Sequence, residues 1–189
     1  MELNKEVKHG ARKSRMFLNE VYFWTDTIKD WKHLLKQDQF KEIILNSWNF
    51  LVKKKKIVAY GFVIMPNHLH VIWEMLASNG REMPHASFNK FTSHMFLEEL
   101  KVHNQNLLQE FISNNMADRN HRFWQRDPLA ILMDSKAKIE QKLDYIHLNP
   151  LQEQWNLTKD PEDYKWSSAK YYASGVDDFR FLSHYKDKF

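Results

Sequence analysis

Apolar and polar residues change their period several times along this chain, and each change marks an element. Val21–Tyr22–Phe23–Trp24–Thr25 is dense in β-branched and aromatic residues and predicts a first strand. From Asp38 the positions Phe40, Ile43, Ile44, Ser47, Trp48 and Leu51 keep one helix face, with Asp38 as the expected N-cap and Lys53 to Lys56 complementing the dipole at the far end. Ile57 to Ile64 and His68 to Trp73 read as strands, and Met65–Pro66–Asn67 is a connection short enough to make them antiparallel neighbours. A polar break at Asn79 to Pro84 precedes a second helix from about Ser87 to Val102, where Phe88, Phe91 and Met95 are expected in the core and Lys90 faces away from them. His103 to Arg119 fits either a continued helix or a loop excursion. Phe123 to Met133 predicts a fourth strand, and Pro128 within it points to an edge or a bulge. Asp134 or Ser135 can then cap a last helix, which Pro150 helps to end by disfavouring helical geometry at Asn149.

The order β-α-β-β-α-β-α predicts an α+β fold: a ferredoxin-like antiparallel sheet with helices on one face, plus a C-terminal helix and an aromatic tail. Residues 1–16 carry Lys5, Lys8, Arg12, Lys13 and Arg15 among few apolar positions and are expected to form a flexible basic arm. Residues 17–175 form the expected domain and 176–189 its tail. Trp155, Tyr164, Trp166, Tyr171 and Tyr172 are too many aromatics for a free linker, so the region after Leu151 is expected to fold back on the domain.

Composition narrows the class. With 189 residues, 13 Phe, 7 Trp and 7 Tyr, the chain has enough apolar bulk for a substantial core. The absence of cysteine excludes disulfides and thiolate metal sites. No apolar run approaches membrane-spanning length and no signal-peptide core is visible, so a soluble cytoplasmic protein is expected. A net charge of +4 favours a polyanionic partner only mildly.

Two places carry candidate chemistry. In Met65–Pro66–Asn67–His68–Leu69–His70 the two imidazoles are separated by one apolar residue; on a strand they project on one side while Leu69 turns into the core. That is a two-point metal grip, although His-x-His by itself is more often structural. In Lys138 to Pro150, Ile139, Leu143 and Ile146 make a core stripe, and Lys138, Lys142, Tyr145 and Asn149 fall together on its flank. Glu140 and Asp144 point elsewhere. A phenol, an amide and two ammonium groups make a surface suited to a phosphate, while the plain reading of Tyr145 and Asn149 is a core-margin residue and a helix-end residue.

Ile64 to Trp73, with its His68–Leu69–His70, followed by Asp144–Tyr145–Ile146–His147–Leu148–Asn149–Pro150, resembles the HUH-type single-tyrosine transposases, in particular the REP-associated branch. Ser87 to Thr92, Phe123 to Asp127 and Tyr164 to Ser168 extend the resemblance from about Glu20 to about Gly175, in the same order. The resemblance implies metal-dependent cleavage and joining of single-stranded DNA through a 5′-phosphotyrosine. It implies Tyr145 as nucleophile and His68, His70 and Asn149 as ligands of Mg²⁺ or Mn²⁺; DNA contacts are expected from Lys138 and Lys142 on the helix flank, and from Lys90 and Arg126 in the motif-like stretches. The expected partner is single-stranded or hairpin DNA, near the nucleoid, bound by a monomer or homodimer. One departure stands out: where the family often has a glycine after Asn-Pro, this chain reads Leu151–Gln152–Glu153–Gln154. Two other classes stay open, a domesticated relative that nicks or binds repeat hairpins without transposing, and a non-enzymatic ferredoxin-like nucleic-acid-binding module.

Overall fold

A computed structural model describes residues 16–112 and 121–189. The basic arm predicted for residues 1–16 therefore lies outside the described residues except for Met16. Four strands, β1 (Val21–Thr27), β2 (Ile57–Ile64), β3 (His68–Met75) and β4 (Leu129–Leu132), form one antiparallel sheet in the order β2-β3-β1-β4. Helices α1 (Asp38–Lys53) and α2 (Pro84–His103) connect them in the ferredoxin-like β-α-β-β-α-β sequence, and α4 (Lys136–Leu148) follows. Two short helices, α3 (Gln105–Gln109) and α5 (Ala169–Ser174), complete the helical set among the described residues.

Strand alternation divides the sheet into two faces. Tyr22 and Trp24 of β1, Phe62 and Ile64 of β2, and Leu69, Val71 and Trp73 of β3 face α1 and α2 and share one apolar core with Phe40, Ile44, Trp48, Phe88 and Phe96. Aromatic rings dominate it: Trp24 stacks on Trp73 at 4.7 Å, and Trp48 stacks on Phe88 at 5.6 Å. Val21, Phe23, Val63 and Ile72 point the other way and meet Ile139, Leu143 and Ile146 of α4. Helices α1 and α2 thus share one face as expected, and the added helix closes the opposite one.

Gly61 makes the second packing intimate. It sits where the β2–β3 register shifts between Ala59 and Gly61, and a Cβ placed on it would come within 2.5 Å of Leu143 Cδ2. A side chain at this position would force the Leu143 side chain out of its seat against the sheet.

Several local expectations are corrected. Asp38 is the first helical residue of α1 and Gln37 its cap; the Asp38 carboxylate instead accepts from Lys41 Nζ at 2.9 Å. In α2 the buried positions are Phe88, Thr92, Phe96 and Leu100, spaced by four, so Phe91 is exposed rather than core. Thr92 earns its interior place by accepting the Trp124 indole N–H at 2.9 Å while donating to the Phe88 carbonyl. The fourth strand is shorter than the span Phe123 to Met133, because Asp127 adopts φ 60° ahead of Pro128 and the ladder begins only at Leu129. It lies at the sheet edge, where that proline can be tolerated. Ser135 caps α4, accepting from the Lys138 amide. The chain after α4 packs back on the domain: Trp166, Phe181 and Tyr185 are buried, and Tyr172 donates to the Tyr60 carbonyl at 2.7 Å.

Candidate active site

The β2–β3 turn delivers His68 and His70 to one end of the α4 face. Met65 N–H donates to the His68 carbonyl at 2.8 Å and closes the turn, and the β1 register sets Thr25 opposite His70 and Thr27 opposite His68. A cavity of about 490 Å³ opens there. His68, His70, Lys142, Tyr145 and Asn149, contributed by β3 and by the α4 region, all line it, and among the described residues no carboxylate does.

Each imidazole is held by its Nδ1. His68 Nδ1 lies 2.6 Å from Asn67 Oδ1, and Asn67 Nδ2 in turn donates to the Trp31 carbonyl at 3.3 Å. That second bond fixes the amide so that its oxygen faces the ring; the Nδ1 must therefore carry the proton, leaving Nε2 with a free lone pair. His70 Nδ1 lies 2.7 Å from Thr25 Oγ1, and its Nε2 is buried without a hydrogen-bond partner. A metal-binding histidine has this arrangement, one nitrogen anchored by a neighbour and the other free.

Protonation would spoil such a site, and burial opposes it. His68 is 8 % and His70 4 % exposed. Burial lowers His68 to about 4, and His70 lies well below the ordinary histidine value through burial first, then the neighbouring His68 and Lys142. Both rings are therefore neutral at physiological pH, the form that can donate a lone pair. Two imidazoles and the Asn149 amide oxygen fit a divalent ion that accepts nitrogen, Mn²⁺ more readily than Mg²⁺. Among the described residues no third histidine, aspartate or glutamate joins them; Asn149, Gln152 and Gln154 bring side-chain amide oxygens to the same cavity.

Tyr145 stands one turn before Asn149. It is 42 % exposed, with its ring edge-on to His70 at 5.3 Å and to Phe23 at 6.1 Å. Lys142 Nζ lies 4.8 Å from the Phe23 ring centre and 5.3 Å from that of Tyr145, so its ammonium is held over two aromatic rings beside the phenol. Phe23 also stacks on His70 at 5.1 Å and forms the floor.

The other basic residues stand elsewhere. Lys138 turns back to Asp134 at 2.7 Å and does not line the cavity. Lys90 pairs with Glu82 at 2.8 Å, and Arg126 is an exposed residue ahead of the edge strand; neither lines it. His147 donates to or accepts from Ser168 Oγ at 2.8 Å and is likewise outside.

The cavity also includes residues that spacing rules do not reveal: Thr25, Trp31, Gln152, Gln154 and Trp155. Gln152 and Gln154 come from the stretch Leu151–Gln154 that departs from the family's glycine, and Trp155 follows it directly. A 3₁₀ turn around Pro150, Asn149–Leu151, leads into a backbone bond from Trp155 N–H to the Gln152 carbonyl, and Asn156 takes the left-handed conformation at φ 43°. An asparagine thus makes the turn a glycine would ordinarily make. Thr25 and Asn67 could have been sought as the hydrogen-bonding neighbours that a ligand histidine requires.

No protein-family profile matches the chain, and no curated protein does. Solved structures do. The chain shares its fold with a REP-associated tyrosine transposase bound to a REP hairpin. The match covers 97 % of this chain and 92 % of that one, with a TM-score of 0.57 and 16 % sequence identity. At that identity the likeness concerns the path of the backbone, so the chemistry rests on the side chains described above.

Proposed function

We propose that this chain is a metal-dependent single-stranded DNA endonuclease and strand transferase that cleaves and rejoins DNA through a 5′-phosphotyrosine at Tyr145. The observation that carries the reading is the convergence of a partnerless, buried His70 Nε2, an oriented His68 and the Tyr145 phenol on one cavity that contains Lys142 and, among the described residues, no carboxylate. The shared fold with a transposase bound to a DNA hairpin gives the reading its substrate class.

His68, His70 and Asn149 would hold the divalent ion, which when bound offsets charge on the non-bridging oxygens of the scissile phosphate. The remaining work falls to the chain's own groups. Lys142 draws the strand's phosphate to the Tyr145 side of the cavity by charge. The Tyr145 oxygen then bonds to phosphorus while the bond from phosphorus to the sugar 3′-oxygen breaks; the phenol proton passes to water and the departing 3′-oxygen takes a proton from water. Phosphotyrosine retains an ester of similar energy, so a second 3′-hydroxyl can attack it and regenerate Tyr145. Cleavage and joining are one reaction run in two directions. A single nucleophile on an exposed helix flank suits an unpaired or hairpin-flanking strand rather than a continuous duplex.

The test is incubation of the full chain with a hairpin DNA bearing single-stranded extensions and Mn²⁺, followed by a denaturing gel and peptide mapping. A covalent adduct on Tyr145 is expected. Cleavage without an adduct, or an adduct on Tyr164, Tyr171 or Tyr172, would reassign the nucleophile.

A further inference from the structure

We infer that Trp31 and Trp155 form a base-stacking rim that grips unpaired nucleobases next to the scissile phosphate. The inference rests on the proposed reaction for its location and adds what holds the strand there. Both indoles line the cavity and both approach His68, with ring centres at 6.4 Å for Trp31 and 5.8 Å for Trp155. They arrive from separate segments, Trp31 from the connection between β1 and α1 and Trp155 from the exit of α4.

Trp31 is 59 % exposed, which for a tryptophan beside a polar cavity is an unusual use of apolar surface. It also stands in a strained backbone: Asp30 and Trp31 are consecutive left-handed residues, at φ 57° and 56°, and neither is glycine. The strain is held in place from below. Ile28 N–H donates to the Asn67 carbonyl at 2.8 Å, Trp31 N–H donates to the Ile28 carbonyl at 3.0 Å, and the Asn67 side chain donates to the Trp31 carbonyl. Asn67 is also the residue that orients His68, so one amide fixes both the ligand ring and the exposed indole. Trp31 meets His68 at an interplanar angle of 66°, an edge contact rather than a stack.

The chemistry of the rim selects its occupant. An exposed indole offers a π-face to any base, and stacking of this kind is tolerant of sequence. Lys142 supplies a cation for the backbone, and among the described residues the lining has no carboxylate to repel a polyanion. Gln152 and Gln154 bring further uncharged polar surface to the same rim. An acidic protein segment would profit from the lysine but not from two aromatic faces; unpaired DNA profits from both.

The experiment measures anisotropy of a labelled dT₁₂ strand, and of the same strand with abasic sites throughout, in EDTA so that no cleavage occurs. Trp31→Ala and Trp155→Ala should each weaken dT₁₂ binding about five-fold or more, with Trp31→Phe restoring most of the loss. On the abasic strand the variants and the parent should bind alike, and the salt dependence should be unchanged because an indole carries no charge. Alanine variants that bind dT₁₂ as the parent does, or that lose equally on the abasic strand, overturn the rim. The adduct assay with Mn²⁺ is run in parallel on the parent. Adducts together with base-independent binding sink the rim and leave the reaction standing; base-dependent binding without adducts sinks the reaction and leaves the rim.

Discussion

The two faces of this sheet are made by the same strands and do opposite things. On the α1/α2 face Trp24, Leu69, Val71 and Trp73 are sealed by aromatic stacking, and every large side chain finds an apolar neighbour. One residue along each strand, Thr25 and His70 hold a tethered imidazole with a free nitrogen at the edge of an open cavity. Because the side-chain period is two, a strand can be stiffened from one side and chemically armed on the other. Substitutions on the first face should act on stability, and those on the second on function.

The largest test is Tyr145→Phe. Removing one exposed phenolic oxygen should eliminate covalent DNA adducts while leaving the melting temperature and strand binding within a few-fold of the parent, as read on a denaturing gel and in a melting curve. Next comes the sealed face, where Phe88→Ala should cost about 3–5 kcal/mol of stability in denaturant unfolding by opening a cavity among Trp24, Trp48 and Trp73. A loss below about 1 kcal/mol would mean that the aromatic stack is not what stiffens the sheet. His70→Ala should do the converse, abolishing Mn²⁺ binding in calorimetric titration without lowering the melting temperature comparably.

The faces should also differ in how they respond to pH. Asp26 lies on the sealed face, where burial raises its carboxyl to about 7 despite hydrogen bonds from Asn89 and from the Thr27 amide. Below about 4 it is protonated in both states; between about 4 and 7 only the folded chain binds the proton, so its contribution to stability declines as pH rises through that window. His68, lowered to about 4 on the open face, works in reverse: between about 4 and 6.5 only the unfolded chain is protonated, so its contribution declines as pH falls. Asp26→Asn should therefore make metal-free stability climb more steeply with pH between 4.5 and 6.5, and His68→Gln should make it climb less. Identical slopes in the two variants would show that neither group titrates as its burial requires.

The smallest effect separates two lysines that share a helix flank. Lys142→Ala should flatten the plot of log affinity for single-stranded DNA against log salt by about 0.7, and Lys138→Ala should leave it unchanged. The difference arises because Lys142 stands over Phe23 and Tyr145 whereas Lys138 is engaged by Asp134.

That pair also shows what could be read from the sequence and what could not. A helix wheel puts Lys138, Lys142, Tyr145 and Asn149 on one side, and three of them do line the cavity; it contains no information on Asp134, which lies outside the helix and captures the fourth. The His-x-His strand and the order of elements were legible because they depend on alternation and on short connections, both local properties. Phe91 was misplaced because the buried positions of α2 run at intervals of four from Phe88, and only the angle at which α2 crosses α1 and the sheet decides between that row and its neighbour. Trp31 and Trp155 were invisible for a different reason. They reach His68 through turns made by Asp30, Trp31 and Asn156 in left-handed conformations, without the glycines that would have announced them.

Gly61 adds a condition on the proposed reaction from outside the cavity. The missing side chain sets how deeply Leu143 seats against the sheet, and Tyr145 is carried on the same rigid helix only two residues later. The phenol's reach toward the histidine strand is thus calibrated by a backbone gap on β2, as a shim sets the clearance of a blade. In-line attack tolerates little misplacement, with about 1 Å able to cost 100-fold in rate. On the proposed reaction, one added methyl group at this gap is expected to slow attack by Tyr145 while every residue lining the cavity stays the same.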